Sequence, residues 1–291
     1  MPRLPPLTPR HYRVVTLVAL WLLCAIVVTG AAVRLTGSGL GCSDWPGCEQ
    51  RQFFAAWEFK PMVEQVNRII TGLVSAAVIA AAAGSLLRRP RRRDLTNWSL
   101  LLILGVVAQI IIGAFVTLSE LKYSIVAVHF WVSMALVLGA VVLCDRAAMA
   151  DDDAARPRVW ARDGRIVVAL TTLVLITGPA ATNAGPHAGS QDVKRLPIDL
   201  KVTVQIHSLT VWVLCISVLL IARRRREEIT PLLMAIVAQG AIGYFQYFAG
   251  VPPVAVGVHV AMATLLWVMA IRFGLGSRRY AAVEGRELVD A

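Results

Sequence analysis

Charge is scarce in this chain. Asp, Glu, Lys and Arg make up only 16% of its 291 residues, while apolar residues make up 57%. A water-soluble fold cannot hide that much apolar surface, so that class is excluded. Acidic residues are scarcer than basic ones, 18 against 29, and the net charge of +11 raises nucleic acid as a partner. The placement of the bases argues against it. Arg88-Arg89, Arg91 to Arg93 and Arg223 to Arg226 lie in short segments between apolar runs, the pattern of loops facing anionic lipid. The run Asp151-Asp152-Asp153 reads as a solvated loop. No small-residue cleavage site follows the first apolar stretch, Tyr12 to Val33, so it reads as a retained helix and not as a signal peptide.

What is present is a series of long apolar runs. Eight are expected to span a bilayer, at 12–33, 66–87, 98–118, 123–145, 165–183, 200–222, 231–250 and 253–274. The class is an all-α polytopic membrane protein. Most Arg and Lys fall at the N-terminus, in alternate loops (88–97, 146–164, 223–230) and at the C-terminus. The positive-inside rule makes these cytoplasmic and puts the 34–65, 119–122, 184–199 and 251–252 loops outside. The setting is a bacterial-type cytoplasmic membrane.

The chain also repeats. "VAQIIIGAF" from Val107 returns as "VAQGAIGYF" from Val237, and "VAVHFW" returns as "VGVHVA". Gln109 then pairs with Gln239, Gly113 with Gly243 and His129 with His259, at a constant offset of 130. More loosely, "VVTGAAVRLTGSG" resembles "LITGPAATNAGPHAG". Two tandem four-helix bundles are expected, 1–145 and 146–291. Each has an even span number, so a pseudo-two-fold axis would lie along the membrane normal.

Three of the five histidines, His129, His207 and His259, lie inside apolar runs, about six or seven residues from the outer helix end. At ~1.5 Å per residue that is roughly 10 Å deep. His11 and His187 lie in polar flanks and read as solvated. A buried histidine can be a hydrogen-bonded core residue, but three at one depth point to cofactor ligands. No carboxylate shares their depth, and Cys24, Cys144 and Cys215 lack ligand spacing, which speaks against zinc or copper. Histidines from different helices of a bundle suit the axial ligands of haem. His207 and His259 would clamp one iron. In the first half, His129 lacks a histidine partner, because Asn67 stands where His207 stands in the second. That predicts an open iron face and a division of labour: electrons in the second half, substrate in the first.

Around Asn67 runs "EQVNRIITG". Glu64 reads as a capping carboxylate at a helix start, or as a base or charge stabiliser beside the iron. Arg68 reads as an interfacial anchor or as a propionate partner. In the preceding loop, "VRLTGSGLGCSDWPGC", Cys42 and Cys48 are free thiols or a short-loop disulfide, the latter expected outside the cytoplasm. Gly37, Gly39 and Gly41 suit a tight loop over a cofactor pocket.

The loop motif, the Glu64-x-x-Asn67-Arg68 stretch and the single histidines in spans four, six and eight together resemble the haem A synthase family, over all but the tails. The resemblance implies oxidation of the C8 methyl of haem O to a formyl, making haem A for cytochrome c oxidase. It implies a resident haem b on His207 and His259, a substrate site with His129, Glu64 as the essential carboxylate and a Cys42–Cys48 disulfide. Expected partners are the lipid bilayer, haem O and haem A, haem O synthase (a protohaem farnesyltransferase) and an electron acceptor. The chain departs from the family where E-x-x-H-R carries Asn67, and where Ser43 replaces a loop proline. The competing reading is a dihaem cytochrome b that oxidises quinol.

Overall fold

The computed structural model describes residues 6–48, 54–151 and 160–287, with side chains to 276. The described residues hold eight long helices: α1 Pro9–Leu35, α2 Phe59–Leu87, α3 Arg93–Leu118, α4 Tyr123–Ala147, α5 Arg162–Ala184, α6 Leu200–Ala222, α7 Arg226–Phe248 and α8 Pro253–Glu287. All eight are long and apolar enough to cross a membrane, and no strand occurs among the described residues. The chain is a multi-pass membrane protein. Large apolar side chains point outward, as on α3, where Leu100, Leu101, Leu104, Ile111, Phe115 and Leu118 are exposed. A lipid-facing surface has that character.

The helices form two compact units. One is Met1–Ala155 with His187–Lys194; the other is Arg156–Pro186 with Arg195–Ala291. In the first, α1 packs on α2 and α4, and α3 packs on the same two, closing a ring. In the second, α5 packs on α6 and α8, and α7 on the same two. These units differ from the expected halves in residues 146–155 and in the 187–194 segment. Arg34 Nε donates to the His187 carbonyl at 2.6 Å, and the Gly39 N–H donates to the Gly189 carbonyl at 3.0 Å. Those bonds bind the segment to the first unit, and His187 is half-buried, not solvated. Within that unit, glycines admit side chains between helices. A Cβ on Gly105 would stand 2.5 Å from Leu136 Cδ2, and one on Gly139 3.1 Å from Leu102 Cδ2. Close approach of this kind drives helix association in lipid, where burial supplies little.

The repeat is visible in backbone detail. At the end of α3 the N–H groups of Ser119, Glu120 and Leu121 donate to the carbonyls of Phe115, Thr117 and Val116. At the end of α7 those of Ala249, Gly250 and Val251 donate to Phe245, Tyr247 and Gln246, the same bonds 130 residues on. Leu121 and Val251 both carry φ of 59°, a left-handed value unusual for such side chains. The six-to-one bond they donate offsets that strain.

The basic segment after α2 differs from its expected lipid-facing role. Arg88 is 1% exposed, ion-paired to Asp151 at 2.7 Å and hydrogen-bonded to the Pro90 carbonyl. Arg92 is buried against Asp94 and Asp151, and Arg146 reaches Asp94. Asp151 is therefore a buried-network partner and not a solvated loop residue; Asp152 and Asp153 lie outside the described residues. Only Arg89, Arg91 and Arg93 of this cluster face outward. Among the described residues outside the disulfide, Cys24 and Cys144 are buried and Cys215 is half-buried; Cys144 Sγ donates to the Thr16 carbonyl at 3.1 Å.

Candidate functional site

His129 is the seventh residue of α4 and His259 the seventh of α8; His207 is the eighth of α6. Each thus lies about two turns from the start of its helix. Each ring lies over a glycine of a neighbouring helix. A Cβ on Gly113 would stand 3.5 Å from His129 Cε1, one on Gly178 3.5 Å from His207 Cε1, and one on Gly243 3.1 Å from His259 Cε1. At Gly113 and Gly178 a Cβ would just touch the imidazole, while at Gly243 it would crowd it.

In the second unit, His207 Nδ1 pairs with Thr177 Oγ1 at 3.0 Å. That hydroxyl has Leu173 O at 3.2 Å as its own acceptor, so it can take the Nδ1–H. Gln239 Nε2 donates to the His259 carbonyl at 2.9 Å. Tyr244 OH, bonded to Ser208 at 2.8 Å and to Trp212 Nε1 at 3.0 Å, ties α7 to α6.

The first unit has the same plan with one change. Gln109 Nε2 donates to the His129 carbonyl at 3.0 Å and to Ser133 Oγ. Thr29 Oγ1 donates to Asn67 Oδ1 at 2.8 Å, as Thr177 meets His207. A Cβ on Gly30, which follows Thr29 as Gly178 follows Thr177, would meet nothing within 4 Å. The shorter Asn67 leaves open the space that an imidazole fills in the second unit. Asn67 and Thr29 also line a cleft of about 480 Å³ between α1 and α2, walled by Ala32, Met62, Val63 and Ile70 and rimmed by Trp57. Sequence reasoning missed both threonines. Their signal was the loosely matched "TG" pair, at Thr29-Gly30 and Thr177-Gly178.

Glu64 and Arg68 are brought together, but toward the loop. The helix α2 starts at Phe59, seven residues before the expected span. Glu64 therefore lies within it and caps nothing. Its side chain is 8% exposed. One carboxylate oxygen accepts the Cys42 N–H at 2.9 Å, and the other is ion-paired to Arg68 at 2.6 Å. Arg68 also donates to the carbonyls of Asp44, Pro46 and Gly47, at 3.2, 3.3 and 2.8 Å. The expected propionate partner is thus largely committed to the loop. Cys42 and Cys48 form a disulfide and are both fully buried. Gly41 is seated so closely on α2 that a Cβ there would stand 2.5 Å from the Lys60 carbonyl oxygen. Gly37 adopts φ of +67° in the turn that ends α1. Glu64, Arg68 and the disulfide form one clasp. Neither Glu64 nor Arg68 lines the cleft that Asn67 lines.

The residues fit haem. None of the three histidines uses Nε2 in a hydrogen bond to a described residue, while the Nδ1 of His129 and of His259 is enclosed. Nε2 is the side left open for iron. Among the described residues no group of three or more His, Cys, Asp or Glu converges as a conventional metal site would need.

The fold and site define a class: an eight-span helical membrane protein with inward histidines recurring at matched places in two units. Within that class the family is settled. The model of the family described as "Cytochrome oxidase assembly protein" (COX15-CtaA) matches residues 13–271, and the chain belongs to that family. It is similar to the heme A synthase of Alkalihalophilus pseudofirmus, 31% identical over 127 residues, covering 43% of this chain and 42% of that one. It is also similar to those of Geobacillus kaustophilus, 33% over 110 residues (37% and 34%), and Halalkalibacterium halodurans, 29% over 140 residues (48% and 47%). The matched stretches span less than half the length of each of these relatives.

Proposed function

We propose that this chain is a haem A synthase, oxidising the C8 methyl of haem O to a formyl group. The observation that carries the reading is the duplicated support of two sites that differ in one ligand. Thr177 holds a histidine in the second unit, where Thr29 holds an asparagine in the first.

In this reading His207 and His259 would hold the iron of a resident haem b. Bound there, the haem supplies one-electron transfer. Two strong imidazole ligands leave no iron position for substrate, which suits a relay. The first unit takes haem O as substrate, with His129 on one face and the open space beside Asn67 and Gly30 on the other. Methyl to formyl is a four-electron oxidation. Two successive hydroxylations, each taking its oxygen from water and releasing two electrons and two protons, give a gem-diol that loses water, with the four electrons leaving to an external acceptor.

The chain's own groups then have distinct tasks. Glu64 is the carboxylate assigned to the developing positive charge, or to the proton released. Its two oxygens are held by Arg68 and the Cys42 N–H, so its position is fixed before substrate arrives. The Cys42–Cys48 loop, placed outside the membrane by the positive-inside rule, keeps that clasp together. Asn67 leaves room at the iron. Haem O would be handed over by the farnesylating enzyme that makes it.

Expression in a host that supplies haem O, followed by chromatography of extracted haems, tests the function. Hydroxymethyl haem and haem A are the expected products. Folded, haem-loaded protein that yields neither would overturn the reading.

A further inference from the structure

Two glutamines occupy equivalent places and leave equivalent loose ends. Each donates its amide to the carbonyl of the inward histidine on the next helix: Gln109 to His129 and Gln239 to His259. In each, the amide oxygen Oε1 is enclosed without a partner. In each histidine, Nδ1 is also enclosed without a partner. A buried acceptor and a buried donor thus stand unpaired on residues already in contact, and this happens twice, 130 residues apart. Leaving such groups unsatisfied in a buried site forfeits the hydrogen bonds each would make with water. They are complementary, so joining them removes both costs.

We propose that Gln109 and Gln239 are positioning residues for the histidines: with haem bound, each Oε1 accepts the Nδ1–H of the histidine whose carbonyl that glutamine grips. The bond fixes the tautomer, leaving the Nε2 lone pair toward iron, and it fixes the ring plane. His207 already has this support from Thr177. Gln109 and Gly113 are four residues apart on α3, and Gln239 and Gly243 four apart on α7, so each pair shares a helix face. On that face the glycine admits the ring and the glutamine orients it. The second-unit half of the inference rests on His259 being an iron ligand.

The test uses the full chain, purified in detergent with haem b, and reads the midpoint potential and the ferric low-spin spectrum. Gln239→Leu removes the acceptor, weakens the imidazole as a donor and should raise the potential. Partners of this kind typically change metal affinity 10–100-fold. A tenfold loss confined to ferric haem equals about 59 mV upward. Gln239→Glu offers a stronger acceptor and should lower the potential. Opposite shifts support the proposal. Unchanged potentials, or shifts of one sign in both variants, overturn it and leave a packing role. If Gln239→Leu fails to fold, Gln239→Glu decides alone: a downward shift supports, no shift or an upward one overturns. Low-spin haem b that survives His259→Ala would instead show that the ligation reading has failed.

Discussion

Replacing Asn67 by histidine should install the missing iron ligand at little cost in stability. The structure carries the estimate. Asn67 accepts one hydrogen bond, from Thr29 at 2.8 Å, a neutral bond worth about 0.5–1.5 kcal/mol net. In the second unit the matching threonine bonds an imidazole Nδ1 at 3.0 Å, with Gly178 Cβ space 3.5 Å from the ring. Gly30 has more room still, since nothing lies within 4 Å of a Cβ there. Asn67→His therefore exchanges the bond for an equivalent one, and its stability should stay within about 1 kcal/mol of wild type. Asn67→Ala loses the bond and should fall by about that amount, roughly 2–4 °C of melting temperature for a unit of this size. Thermal unfolding in detergent measures both. Electron paramagnetic resonance of the haem-loaded histidine variant should show a low-spin species absent from wild type. A folded, loaded variant without that species, or one less stable than Asn67→Ala, would refute the equivalence of the two sites.

Other changes probe the clasp. Glu64→Gln keeps an acceptor for the Cys42 N–H but loses the ion pair, and should leave haem content intact while lowering turnover. Product analysis per bound haem checks it, and unchanged turnover would remove Glu64 from the chemistry. Reducing Cys42–Cys48 should lower stability by about 2 kcal/mol for so short a loop, read as a lower melting temperature. Gly41→Ala should lift the loop from α2, because its Cβ would meet the Lys60 carbonyl at 2.5 Å. Faster thiol labelling after mild reductant is the expected readout.

The spans were legible because a bilayer asks for about 20 apolar residues, and few other structures do. Their starts were less so. The expected 66–87 span became Phe59–Leu87 because α2 continues through Lys60 and Glu64 outside the apolar run. That shift moved Glu64 from a supposed cap to the middle of the clasp. The clasp depends on the Cys42 N–H and loop carbonyls arriving from 20 or so residues away, and backbone groups leave no mark in side-chain patterns. The matched places of His129 on α4 and His259 on α8 were readable from the repeat at offset 130. Thr29 and Thr177 were harder: their offset is 148, and that of Asn67 and His207 is 140, since the loops differ in length. The Arg88–Asp151 pair was missed because a basic run beside lipid and a buried ion-pair network share one composition.

The central claim is that one unit holds a closed, doubly liganded haem and the other an open one. Electron paramagnetic resonance of the ferric wild-type protein, loaded at both sites, tests it most directly. One low-spin species is expected, lost in both His207→Ala and His259→Ala, beside a high-spin signal from the first unit. A second low-spin species in wild type, or one that survives both substitutions, would contradict the account.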